Sequence, residues 1–157
     1  MVLTDREIHN WISKHDLIED HEPDCLTSIG YDLRADHFVS REALTSHVTL
    51  KSGESVFVGT KENIKLPNDM IARLSLKNSR IRQGLSLDAP IYQPGHHTKV
   101  FFRLTNVSND EIELREGDKY ALIMFEKLSG PVDAPYKGTF SEEMSFSGMG
   151  EYMGIYK

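Results

Sequence analysis

The chain has 157 residues, 39% of them hydrophobic and 27% charged, which fits one globular domain over 1–157 with a single core and leaves little room for a second. No apolar run nears the roughly 20 residues of a membrane helix, no basic start leads into an apolar leader, and a net charge of −6 argues against a duplex-binding basic face. A cytoplasmic protein with no membrane or nucleic-acid partner is expected. The single cysteine, Cys25, allows neither an internal disulfide nor a cysteine-based zinc site, so packing or subunit contacts must hold the fold.

Thr4-Asp-Arg-Glu7 reads as a capping box, and Ile8, Trp11 and Ile12 follow at helical spacing, which predicts an amphipathic helix over 4–15 with Pro23 as a later breaker. From Ser28 the pattern changes to short β-branched and aromatic runs separated by Gly, Pro, Asn and Asp. Strands are predicted at 31–35, 47–50, 55–60, 70–76, 85–88, 99–106, 112–114 and 120–127, an all-β sandwich or barrel. Lys51-Ser-Gly-Glu54 and Arg115-Glu-Gly-Asp118 share one turn chemistry, each before an apolar strand.

One segment interrupts the strands. Asn78 to Gly84 has helix-start residues and a terminal glycine suited to a left-handed cap, so a short internal helix is expected. Arg73, Lys77, Arg80 and Arg82 crowd around it, and helix N-termini attract anions. A small polyanionic ligand would suit this cluster, as would a plain solvated face. Ser28-Ile-Gly-Tyr-Asp32 places a carboxylate near a strand start where glycine backbone can approach a ligand, an ordinary strand edge being the alternative. Residues 129–157 read as an arm, ordered by a neighbour or closing over a ligand, or simply unpinned. The seven histidines lack metal-ligand spacing; the adjacent His96 and His97 would face opposite ways on a strand.

Ile29-Gly-Tyr-Asp-Leu-Arg-Ala35, Lys77-Asn-Ser-Arg-Ile-Arg-Gln-Gly-Leu85 and Glu116-Gly-Asp-Lys-Tyr-Ala-Leu-Ile123 resemble, in order, the first, the phosphate-binding and the fourth motifs of the trimeric dUTP pyrophosphatase (dUTPase) and dCTP deaminase superfamily. The openings Leu3-Thr-Asp-Arg-Glu-Ile8 and Leu128-Ser-Gly-Pro131 and the segment Ala134-Pro-Tyr136 are similar to the deaminase branch. The resemblance covers nearly the whole chain. It implies a dUTPase-like distorted jelly-roll β-barrel with an N-terminal helix and one short internal helix, assembled as a homotrimer, binding a pyrimidine deoxynucleoside triphosphate. It further implies Asp32 as an outer-shell partner of Mg2+ brought with the nucleotide, no zinc, and Lys77, Asn78, Ser79, Arg82 and Tyr136 on the phosphates. Tyr92 and Arg103 would lie by the nucleoside, and Phe146 would cap the base.

The catalytic positions depart from the family. Deaminases of this family use a glutamate in the strand that ends in Asn106, and the count lands on Arg103, which cannot serve as a base because guanidinium keeps its proton. The dUTPases use an aspartate thirteen residues before that asparagine, and the count lands on Gln93, which can position a hydroxyl or a water but cannot accept a proton. Hydrolysis of dUTP to release pyrophosphate is the expected activity if the site turns over. The alternatives are a non-catalytic nucleotide-binding or regulatory module and, behind it, deamination by an altered residue set.

Overall fold

The computed structural model describes residues 1–40, 44–138 and 141–144. Helix α1 runs over Asp5–His15, and its capping box is present, with Glu7 Oε1 accepting the Thr4 N–H at 3.3 Å. Ile8 and Ile12 are buried against the barrel, while Trp11 is half-buried with Lys127 Nζ 4.6 Å above its ring. After α1 come β1 (Ile18–Glu19), a 3-10 turn (Pro23–Cys25), β2 (Leu26–Thr27), β3 (Gly30–Val39), β4 (Leu44–Thr45), β5 (His47–Leu50), β6 (Ser55–Lys65) and β7 (Met70–Leu76). Helix α2 (Asn78–Gln83), β8 (Leu85–Asp88), β9 (His97–Asn106), β10 (Ile112–Arg115) and β11 (Lys119–Lys127) complete the order. No described helix is long and apolar enough to cross a membrane.

The main sheet runs β7-β11-β3-β6-β9-β8 with antiparallel neighbours, and β1, β2 and β4 pair along its flanks. A bridge between Ala72 on β7 and Tyr92 after β8 nearly closes it into a barrel. Strands β5 and β10 form a separate two-stranded sheet. The paired turns explain how the two sheets connect: Gly53 (φ 83°) and Gly117 (φ 85°) take left-handed backbone at equivalent places, handing β5 to β6 and β10 to β11. Asn106, fully buried, ties this corner together by donating to the carbonyls of Leu50 and Asp110 at 2.9 and 2.7 Å.

Every predicted strand is present, but β3 and β6 continue beyond the expected ends at Ala35 and Thr60. Their polar runs break the two-residue alternation, and the strands persist through register shifts at Ala35/His37 and Gly59/Asn63. The second shift turns both Thr60 and Glu62 into the interior. Thr60 Oγ1 then accepts the Val100 N–H at 3.1 Å, and Glu62 accepts three bonds: from Tyr31 Oη at 2.9 Å, from the Arg34 N–H at 2.9 Å and from Arg34 Nε at 2.7 Å. Around these lie Tyr31, Leu33, Phe38, Val58, Phe102, Leu104, Ile123 and Phe125 in one core.

As far as it is described, the segment after β11 lies on its own barrel. The Val132 N–H donates to Asn68 at 2.9 Å and the Tyr136 N–H to Pro94 at 2.8 Å. Further on, Ser141 and Glu143 accept the His97 and Lys99 amides at 3.0 and 2.8 Å, covering the part of the β9 edge that β8 leaves open.

Candidate functional site

Strand β11 lies between β3 and β7, and Leu122 is in register with Asp32 on one side and Ser75 on the other. Asp32 and the residue just past β7, Lys77, therefore meet across Leu122. Lys77 Nζ donates to Asp32 Oδ2 at 2.5 Å, both side chains being largely covered, and the Lys77 N–H is fixed on the Tyr120 carbonyl at 2.9 Å. A cleft of about 370 Å3 opens there, lined by Thr27, Asp32, Leu76, Lys77, Asn78, Ser79 and Leu122. Lys77 is also the N-cap of α2, so Asn78 and Ser79 enter the cleft from the helix's first turn, and Gly84 ends that helix with φ 105°.

Of the four clustered cations only Lys77 lines the cleft. Arg80 belongs to the scaffold: its guanidinium lies 4.3 Å over the Tyr120 ring and donates to the Lys119 carbonyl at 3.0 Å. Burial, with Asp118 nearby, pushes that tyrosine's hydroxyl up to about 12. Arg73 faces Glu126 at 3.5 Å. Arg82 is exposed one turn along α2, and its Nε reaches Asn78 Oδ1 at 3.4 Å, so it touches the cleft only through that residue.

Gly30 corrects the reading of glycine as a place for ligand approach. A Cβ there would stand 2.3 Å from the Ile123 carbonyl oxygen and 2.9 Å from a Leu122 methyl, so the residue makes room for β11, not for a ligand. Gly30→Ala should cost about 1–3 kcal/mol through overpacking, read as a lower urea midpoint; an unchanged midpoint would show that β11 has slack.

The other expected site residues form a second group. Gln93 is exposed on the turn between β8 and β9. Tyr92, expected beside a nucleoside, is buried, and its hydroxyl is engaged within the barrel: it donates to the Phe101 carbonyl and accepts the Phe101 N–H, both at 3.0 Å. Burial raises its pKa well above the tyrosine range. Tyr136 stacks on His96 at 4.5 Å with planes 19° apart, on the same turn as Gln93. Arg103 faces outward from β9 and pairs with Asp88 at 2.8 Å. Phe146 lies outside the described residues.

The chain does not bring its two groups together. Tyr92 is bridged to Ala72, five residues before Lys77, which separates the Gln93 turn from the cleft by roughly 17 Å along β7. Sequence reading also missed His96, set aside with His97 as neighbours that would face opposite ways on a strand. The signal was its place three residues after Gln93 across a Pro-Gly turn, which folds the imidazole back on the Gln93 peptide.

As for a metal, no group of three or more His, Cys, Asp or Glu among the described residues could hold one. The cleft offers a single carboxylate, Asp32, already held by Lys77, a donor set that fits only contact through the water shell of an ion carried by a ligand.

This nearly closed barrel with two helices is similar in fold to solved dCTP deaminases and dUTPases. The dCTP deaminase of Agrobacterium tumefaciens superposes with a TM-score of 0.69 at 18% identity, over 79% of this chain and 47% of that one. In sequence, residues 36–128 match the model of the dCTP deaminase-like family. A dCTP deaminase of Thermococcus kodakarensis is 33% identical over 82% of this chain and 87% of its own. A protein named "Probable deoxyuridine 5'-triphosphate nucleotidohydrolase" of Sulfolobus islandicus rod-shaped virus 1 is 28% identical over 91% of this chain and 94% of its own. The chain belongs to the dCTP deaminase-like family, within the dUTPase and dCTP deaminase superfamily.

Proposed function

We propose that this protein binds a pyrimidine deoxynucleoside triphosphate in the Lys77 cleft and hydrolyses it, dUTP being the substrate and pyrophosphate the leaving group. The observation that carries the reading is the Asp32–Lys77 pair beside Asn78 and Ser79 in one cleft, a cation and hydroxyl set suited to phosphoryl oxygens. Arg103 favours hydrolysis over deamination, since the residue in the deaminase glutamate's position is a permanent cation paired to Asp88.

In this reading Lys77 and Ser79 grip the phosphates from within the cleft, Arg82 swings from Asn78 to reach them from outside it, and Gln93 of a neighbouring copy orients a water in line with the α-phosphorus. Magnesium carried by the nucleotide would spread phosphate charge, with Asp32 touching its water shell. Gln93 aligns the water without taking its proton, so slow turnover is expected. That same property favours the second reading, a nucleotide-binding regulatory module.

The separation of the two residue groups supports a homotrimer in which Gln93 and Tyr136 of one protomer complete the cleft of the next. An exposed isoleucine flanks each group, Ile81 at 56% and Ile91 at 50%, as surfaces buried in an assembly would have. A cytoplasmic setting suits the free thiol of Cys25.

Incubation with each deoxynucleoside triphosphate and magnesium, followed by product separation, distinguishes pyrophosphate release from ammonia release and from neither. Binding of a non-hydrolysable dUTP analogue should weaken by about 1–3 kcal/mol in Lys77→Ala and in Arg82→Ala, one charge-assisted contact each. Lys77→Ala should be the worse, because it also leaves Asp32 facing the phosphates without its cation. Unchanged affinity in both would refute the clamp.

A further inference from the structure

We propose that His96 is a positioning residue: its ring fixes the Gln93 peptide and seats the C-terminal arm on the same turn through Tyr136, so that water-positioning residue and arm are presented as one unit. The inference rests on the reading of Gln93 given above.

The turn Gln93-Pro-Gly-His96 closes with the His96 N–H donating to the Gln93 carbonyl at 3.2 Å, and Gly95 takes φ 100°. His96 Nδ1 then stands 2.9 Å from the Gln93 nitrogen and 2.9 Å from its carbonyl oxygen. The two contacts demand different protonation of one nitrogen. With the proton on Nε2 alone, Nδ1 accepts the Gln93 N–H; a proton added to Nδ1 would turn it toward the carbonyl and leave that N–H without its acceptor. The ring is 6% exposed, and burial, partly offset by the Gln93 carbonyl, holds its pKa below the usual histidine value. Burial favours the neutral ring, and of its two tautomers the one protonated on Nε2 is the one that holds the Gln93 N–H.

The arm meets the same ring. Tyr136 stacks on one side, the Tyr92 ring meets it edge-on at 5.2 Å, and the Tyr136 N–H reaches over to the Pro94 carbonyl. A Cβ on Gly95 would stand 2.8 Å from the Tyr136 carbonyl oxygen, so the arm passes where glycine alone leaves room. Among the described residues, His96 meets Tyr92, with its hydroxyl held by Phe101, and Tyr136; Glu143, whose charge acts on Tyr92, has its own pKa raised by burial. His97 is engaged elsewhere, on Glu19 at 2.5 Å. A phenylalanine at 96 would fill the same space and keep the stacking; only Nδ1 can hold the Gln93 amide.

The decisive experiment compares wild type, His96→Phe and His96→Asn by residue-resolved amide exchange and by pyrophosphate release against pH. In His96→Phe the Gln93 amide should exchange about tenfold faster, as one hydrogen bond is lost. Its kcat should fall by a similar factor, with KM nearly unchanged and with the acid limb of the wild-type pH profile flattened. Asparagine, which can accept the same N–H, should restore most of the turnover. Unchanged exchange at Gln93 in folded His96→Phe overturns the proposal whatever the turnover. Faster exchange in a protein whose wild type neither binds nor hydrolyses any deoxynucleotide upholds the positioning contact and sinks the functional reading instead.

Discussion

Glu62→Ala is expected to lower the unfolding free energy by about 3–5 kcal/mol, the range for removing one partner of a buried ion pair. Glu62 is fully buried and satisfies three donors from β3 at once, the Tyr31 hydroxyl, the Arg34 amide and the Arg34 Nε. Alanine leaves all three facing a void. The guanidinium has partial relief, because its side chain is 23% exposed and another of its nitrogens donates to the Asp20 carbonyl at 2.5 Å, which argues for the lower half of the range. The Tyr31 hydroxyl also accepts the Glu22 N–H at 2.8 Å, so the loop leading into β2 loosens with it. Glu62→Gln keeps the volume but loses the charge and turns an amide NH2 toward donors, and should cost about 1–3 kcal/mol. Urea unfolding checks the order, wild type above Gln above Ala; losses below about 1 kcal/mol in both variants would mean that water replaces the carboxylate without penalty. Asp32 lies two residues before Arg34 on the same strand, so nucleotide affinity should fall with stability in Glu62→Ala.

The difference between what the sequence disclosed and what it hid follows from the range of the forces involved. The capping box of α1, the glycine turns at Gly53 and Gly117 and the cap at Gly84 are local, set by residues three or four apart, and all stand as expected. The strands beyond Ala35 and Thr60 were hidden because long-range pairing across register shifts overrides the alternation that marks a strand. Lys77 and Arg80 look alike in sequence, yet one enters the cleft and the other is spent on Tyr120 and Lys119, forty residues away in the chain, a choice that only tertiary contact makes. Glu62 lies beyond the strand end predicted at Thr60 and is the buried anchor of β3. The places given to Gln93 and Arg103 rest on a count back from Asn106; Arg103 lies on β9 with that asparagine, and Gln93 stands a three-residue turn before the strand begins.

Gln93→Asp is expected to raise kcat for pyrophosphate release from dUTP by about a hundredfold or more, since a positioned general base contributes roughly 10²–10⁴. The substitution supplies the one function that an amide lacks, acceptance of the water's proton, and an exposed aspartate with an ordinary pKa near 4 is ionised at neutral pH. The backbone under it is already fixed, because the Gln93 N–H is held by His96 Nδ1 and the turn by Gly95, so the shorter side chain starts from a defined place. The new charge should weaken binding of the triphosphate modestly, visible as a higher KM, which separates a true gain in chemistry from tighter binding. Gln93→Asn is the matched control: the same length without a base, and no gain. Should Gln93→Asp still bind the non-hydrolysable analogue and yet show no rise in turnover, Gln93 does not face the reacting phosphorus, and the regulatory reading stands in place of the hydrolase. If Arg103→Glu instead begins to release ammonia from dCTP, the deaminase frame is the one this barrel retains.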